Sequence, residues 1–127
     1  MKINKQTKIN IIGDIMLDKW IHGSYGNYSA EAIIKIFKQE NFRYTLGGVG
    51  NLSKNLNNLN IKFKLFIDLS NDYNSKIIKK NLNLSKINYF VIGKRKKTTT
   101  KTRYFINDHQ IFRDDNEVLK NAKIDKS

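Results

Sequence analysis

Cysteine and proline are both absent from the 127 residues, and there are only two histidines, His22 and His109. Without cysteine there is no disulfide frame, no thiol nucleophile and no thiolate metal site, which suits a reducing compartment, and a cytoplasmic location is expected. Two histidines cannot build a His-rich metal cluster, so His22 reads as a surface or packing residue and no metal site is predicted. Long apolar runs are missing too. With none beyond a few residues no membrane-spanning helix is expected, and MKINKQTKINII has neither the apolar core nor the small-residue cleavage site of an export signal. Acidic residues are scarce, 11 against 24 basic, for a formal charge of +13. That excess favours anionic partners such as phosphates, nucleic acid or anionic lipid without choosing among them. Lysines run from Lys2 to Lys126 in an Asn- and Ile-rich background, so much of the charge is ordinary solvated surface. The length allows one domain, or part of one, and leaves no room for a second.

The chain is organised around KINIIGDIMLD, Lys8 to Asp18. Ile9, Ile11 and Ile12 form a β-branched strand, and Gly13 turns the backbone at its carboxyl end, where open α/β sheets place ligands. Asp14 and Asp18 follow at once. A carboxylate at a strand end is suited to vicinal sugar hydroxyls; the plainer reading makes Asp14 a turn cap and Asp18 a solvated loop charge. From Lys19 to Tyr28, aromatic and β-branched residues broken by Gly23 and Gly26 suggest a short strand and turn. Core packing is the commoner role for Trp20 and Tyr25, covering a ligand the rarer one. Ser29 to Tyr44 is ambiguous: Ala32, Ile33, Ile36 and Phe37 fit a helix face capped by Ser29, while Ile34, Ile36, Phe42 and Tyr44 fit strand alternation, and the count slightly favours helix.

Thr45 to Ile61, TLGGVGNLSKNLNNLNI, reads as a Gly-rich turn feeding an amphipathic helix with Leu52, Leu56 and Leu59 at helical spacing. Gly47 and Gly48 let backbone approach a ligand, and Asn51 can both donate and accept hydrogen bonds; a plain loop before a helix is the simpler alternative. No GK[ST] follows, so it is not a Walker A loop. Lys62 to Asp68 alternates as a strand, Asn71 to Leu84 reads as a helix started by Asn71 or Asp72, and Ile87 to Ile92 as a further strand. This rhythm predicts a parallel α/β sheet. The basic stretch GKRKKTTTKTRY, Gly93 to Tyr104, is compatible with a nucleic-acid patch, a phosphate-binding edge or a solvated hairpin turn before a threonine-rich strand, the last being commonest for KRKK. Lys101 and Arg103 share a strand face with Thr99 and invite an anion. A turn at Asn107 and Asp108 leads into a strand from His109 to Asp115, and a polar, frayed tail is expected from Leu119 to Ser127.

GDIMLD at Gly13 to Asp18, SAEA at Ser29 to Ala32, GGVGN at Gly47 to Asn51, TTTKTR at Thr98 to Arg103 and QIFRDD at Gln110 to Asp115 together resemble the amino-terminal part of a ribokinase-type (PfkB) carbohydrate kinase. Within that family they are most similar to the heptose 7-phosphate kinases of ADP-heptose synthesis. The resemblance spans about Ile9 to Glu117. It implies a truncated ribokinase-like α/β fold over residues 1–118: a partial, mostly parallel sheet with flanking helices plus a small β lid, its strands at about 19–45 and 98–114. Strand is therefore expected across Ala32 to Tyr44 against the helical count. It also implies that Asp18 binds sugar hydroxyls, that Gly47, Gly48 and Asn51 close on the sugar, and that Lys101, Arg103 and Arg113 lie toward the sugar phosphate. Ala30 and Ile33 stand where these kinases usually have proline, Asn27 where they often have arginine, and Ile67 and Ser70 where glycines are common, which implies a less rigid lid.

The family's catalytic aspartate and anion-hole glycines belong to a GAGD-type motif that this sequence does not contain, nor does it contain the nucleotide-binding strands. No catalytic residue and no cofactor is therefore expected in this chain itself, ATP and Mg²⁺ being implied for the complete kinase. The expected function is the acceptor-sugar and lid half of an ATP-dependent heptose 7-phosphate kinase, inactive without a carboxyl-terminal half. The expected partners are a sugar phosphate and either that half or a second copy paired through the lid. A non-catalytic sugar-phosphate-binding or dimerisation module is the alternative. A nucleic-acid-binding protein is the weaker one, resting on charge alone.

Overall fold

The computed structural model describes residues 9–118 and 123–124. The strands and helices run β1 (Ile9–Ile12), β2 (Ile15–Tyr28), β3 (Lys35–Gly48), α1 (Val49–Asn58), β4 (Phe63–Leu69), α2 (Tyr73–Leu84), β5 (Tyr89–Lys94), β6 (Thr100–Ile106), β7 (His109–Asn116) and β8 (Lys123–Ile124). They form two four-stranded sheets, ordered β1-β4-β5-β8 and β3-β2-β6-β7. In the first, β1, β4 and β5 are parallel and β8 closes antiparallel. In the second, β2 is antiparallel to β3 and parallel to β6, and β7 returns along β6. The sheet expected as a small lid thus has as many strands as the first. The tail expected from Leu119 lies outside the described residues except for β8.

Both sheets and α2 feed one core of Ile11, Ile15, Leu17, Leu46, Leu65, Ile67, Leu69, Ile78, Leu82 and Ile87. Alternation places Leu65, Ile67 and Leu69 of β4 on its buried face. Helix α2 begins where expected because the Asp72 side chain accepts a hydrogen bond from Ser75 N at 2.8 Å. It buries Ser75, Ile78 and Leu82.

Four readings taken from local pattern alone are revised. The helical count over Ser29 to Tyr44 fails, and the strand that the resemblance implies across Ala32 to Tyr44 is there as β3. Strand β3 pairs with β2 from Ile15↔Gly48 to Tyr28↔Lys35, and Ser29 N donates to Ile34 O across the turn. The apolar spacing that mimicked a helix has nothing to pack on, since Ile33 is 95% exposed. Second, 19–28 is no short strand and turn, because β2 runs unbroken for 14 residues, absorbing Gly23 and the stretch around Gly26 as register shifts. Asp18 accordingly lies inside a strand. Third, α1 buries Gly50 and Ser53, while Leu52 and Leu59 face outward. Fourth, KRKK is not uniformly solvated: Lys96 and Lys97 are exposed, but Arg95 is half-buried between the carboxylates of Asp68 and Asp14.

Candidate functional site

One face of the second sheet collects the polar residues. Side chains alternate along a strand, so Met16, Asp18, Trp20 and His22 of β2 share a face. Register puts Asp18 between Thr45 of β3 and Lys101 of β6, and Trp20 between Arg43 and Arg103. The second row extends to Arg113 and the first to Asp115, both on β7. The residues Asp18, Lys101, Arg103 and Arg113, far apart in sequence, therefore meet on two adjacent rows.

Ion pairs order these rows. Arg103 Nη1 donates to Asp18 Oδ1 at 3.0 Å, with side chains 19% and 17% exposed. Arg113 holds Asp115 bidentately, Nε to Oδ1 and Nη2 to Oδ2, both at 2.7 Å. That fork pushes the Arg113 guanidinium up and holds the Asp115 carboxyl below its usual range. Trp20 is fixed by its Nε1–H donating to Thr45 Oγ1 at 2.8 Å, and guanidiniums stand over the ring at 4.7 Å (Arg43) and 4.8 Å (Arg103). Phe105 stacks on both Trp20 and His22, which makes His22 a packing residue.

The Gly-rich segment expected as a turn is instead the end of β3, Gly47 paired with Met16 and Gly48 with Ile15, running straight into α1, and it bounds this face. A side chain at Gly47 would place its Cβ 2.6 Å from Met16 Cγ and 2.7 Å from Asp18 Oδ2. Gly48 has φ +58°, and a Cβ there would land on the Asp14 carbonyl oxygen, the same oxygen that accepts the first amide of α1 from Val49 N at 3.0 Å. Asn51 lies in the first turn of α1 and is exposed; its side chain is not joined to the Asp18–Arg103 pair.

A second cluster closes the carboxyl ends of the first sheet. Burial pushes the Arg95 guanidinium down, but Asp68 and Asp14 outweigh it and hold the group above its ordinary value. Nearby, Asp72 Oδ2 accepts from Thr98 N at 2.8 Å and Oδ1 accepts from Thr98 Oγ1 at 2.7 Å, while Ser70 Oγ lies 2.6 Å from Thr98 Oγ1. Burial alone would raise the Asp72 carboxyl; bonds from Thr98, Ser75 and Ser70 bring it down to about 2. Asp72 thus starts α2 and fixes the entry into β6 at once.

Sequence reasoning missed Arg43, Thr45, Asp68, Asp72's second role and Arg95. The signal for Arg43 was the hairpin register: once residues 29–34 are the turn, Trp20 falls opposite it. The carboxylates Asp14, Asp18, Asp68 and Asp115 each face an arginine, and no group of three His, Cys, Asp or Glu among the described residues could hold a metal. These arginine-paired carboxylates do not fit a Mg²⁺ site. No helix among the described residues is long and apolar enough to cross a membrane.

No known protein-family model matches the chain. Solved structures do. A carbohydrate kinase from Agrobacterium tumefaciens superposes with a TM-score of 0.66 at 14% identity, covering 87% of this chain and 36% of that one. The tetrameric inhibited form of phosphofructokinase-2 from Escherichia coli gives 0.64 at 13% identity, covering 94% and 37%. The fold is ribokinase-like, shared with the PfkB sugar kinases. By sequence, the chain is 35% identical over 113 residues to the bifunctional protein HldE of Campylobacter concisus (strain 13826). It is 28% identical over 119 residues to that of Aliarcobacter butzleri (strain RM4018). The match takes in 87% and 92% of this chain but 24% and 25% of those relatives, so the chain spans about a quarter of their length. The ribokinase-like, HldE-like resemblance read from the sequence holds on both counts.

Proposed function

We infer that this chain is the acceptor-sugar side of an ATP-dependent heptose 7-phosphate kinase. Asp18 accepts hydrogen bonds from sugar hydroxyls, Gly47 and Gly48 let backbone close on the sugar, Asn51 completes the polyol contacts, and Lys101, Arg103 and Arg113 face its phosphate. The second sheet, with strands around 19–45 and 98–114, serves as the lid, within a unit of residues 1–118. In the complete reaction the γ-phosphoryl group of ATP passes to the anomeric hydroxyl of the sugar phosphate, whose proton goes to a base outside this chain. Alone, the chain binds without turnover. Its setting is the cytoplasm.

The observation that carries this reading is the Asp18–Arg103 pair, a carboxylate and a guanidinium on one sheet face beside Gly47, where a Cβ would crowd Met16 and Asp18. The test is calorimetric titration with D-glycero-D-manno-heptose 7-phosphate, then co-expression with the remainder of an HldE-type kinase domain and an assay of ATP turnover. Binding by the chain with turnover only in the pair is expected; turnover by the chain alone, or no binding, contradicts it.

A dimerisation module is the second reading, favoured by the exposed Ile33 and Ile34 in the β2–β3 turn and Ile36 and Phe112 on the second sheet. Nucleic-acid binding has less support, because the cations of the site stand among carboxylates.

A further inference from the structure

The geometry points to Arg43 as a phosphate-binding residue of this site, the guanidinium that takes the phosphate monoester of the sugar; this rests on the sugar-phosphate reading above. Three arginines lie on one cross-strand row, and two of them are neutralised: Arg103 by Asp18, Arg113 by Asp115. Among the described residues Arg43 has no carboxylate partner. It is exposed, and it is held in place by the indole face of Trp20, 4.7 Å away, while that indole is pinned by Thr45. Stacking uses the π-face of a guanidinium and leaves its N–H edge unspent, so Arg43 is both preorganised and unsatisfied.

The electrostatics run the same way. Arg43 and Arg103 flank one ring, both at under 5 Å. Their mutual repulsion falls when an anion bridges the row. Four cations, Arg43, Lys101, Arg103 and Arg113, stand against two carboxylates, Asp18 and Asp115, across these two rows. The surplus matches the double charge of a phosphate monoester, and a guanidinium edge presents the fork geometry that phosphate oxygens take. A sugar without phosphate has no use for Arg43.

Calorimetric titration of the full chain with D-glycero-D-manno-heptose 7-phosphate, with the unphosphorylated heptose and with inorganic phosphate tests this on the wild type, Arg43→Gln, Arg43→Lys and Asp18→Asn. Arg43→Gln is expected to weaken heptose 7-phosphate roughly tenfold or more and to leave the free heptose unchanged, with Arg43→Lys between. Because Trp20 is the single tryptophan, its emission should respond to heptose 7-phosphate and to phosphate in the wild type but not in Arg43→Gln. An unchanged affinity for heptose 7-phosphate in Arg43→Gln, or an equal loss for both sugars, overturns the assignment. If Asp18→Asn abolishes sugar binding while Arg43→Gln changes nothing, only the Arg43 assignment falls. If the wild type binds none of the ligands, both fall.

Discussion

Asp18 pairs with Arg103, its diagonal neighbour on the adjoining strand, and not with Lys101, which stands directly opposite it. The diagonal leaves Lys101 beside Asp115 and puts the Arg103 guanidinium on the Trp20 ring. One arginine therefore links the carboxylate, the aromatic and the cationic row. Diagonal partners across a sheet lie within reach of a long side chain, which a short one at position 103 could not span.

Gly48 carries the backbone strain of the site. Its φ of +58° and the Asp14 carbonyl oxygen where a Cβ would lie make Gly48→Ala destabilising by more than about 1 kcal/mol. Urea denaturation should show a lower midpoint at an unchanged slope. A midpoint equal to the wild type would mean that the β3–α1 junction relaxes freely.

Asp72 makes stability depend on acid. Its folded pKa, about 2, lies below the usual 3.8, so its contribution is fully present above the unfolded value and is lost as pH falls through the folded one. Solvent screening of this partly exposed group reduces the contribution to about 1 kcal/mol. Thermal melts between pH 5 and pH 2 should converge for wild type and Asp72→Asn at the acid end, with the wild type ahead at pH 5. Parallel curves would contradict the linkage.

Arg95 should couple strongly to Asp68 and weakly to Asp14, because the Asp68 side chain is 11% exposed and that of Asp14 is 71%. Arg95→Met strands a buried carboxylate and should cost about 2–3 kcal/mol. The double variant Arg95→Met with Asp68→Leu should cost less than Arg95→Met alone. Additive losses in a double-mutant cycle would show that the two groups do not interact.

The legible parts of the fold were those set by local chemistry. Asp72 followed by Ile77, Ile78 and Leu82 marks α2 because a cap and an apolar face lie within one segment. Asn107 and Asp108, both at positive φ, mark the β6–β7 turn for the same reason. What stayed hidden depended on pairing between distant segments. Ile33 and Ile36 sit at helical spacing, and only the family resemblance, not the local count, points to strand there; no local count contains the register that brings Arg43 to Trp20. Asp18 and Arg103 were both picked out, but their contact spans 85 positions and is a property of the sheet. Arg95 was hidden inside a run of like charges whose other members are indeed solvated.

The apolar surface should make the chain self-associate. Ile12, Phe66 and Phe90 lie in register across β1, β4 and β5, with Ile12 70% exposed, and Ile33 in the β2–β3 turn and Phe112 on β7 are exposed at the second sheet and its connection. Light scattering should give a mass that rises with concentration, and Ile33→Lys with Phe112→Lys should lower it if the second sheet is the contact. A monodisperse monomer at all concentrations would count against association.

Binding of D-glycero-D-manno-heptose 7-phosphate to wild type and Asp18→Asn, measured by calorimetry with circular dichroism to verify folding, bears most directly on the sugar site. Micromolar-to-millimolar affinity is not the issue; the ratio is. A loss of roughly tenfold or more in folded Asp18→Asn is the predicted result. Equal affinity in the two proteins would remove Asp18 from the sugar site and the kinase reading with it.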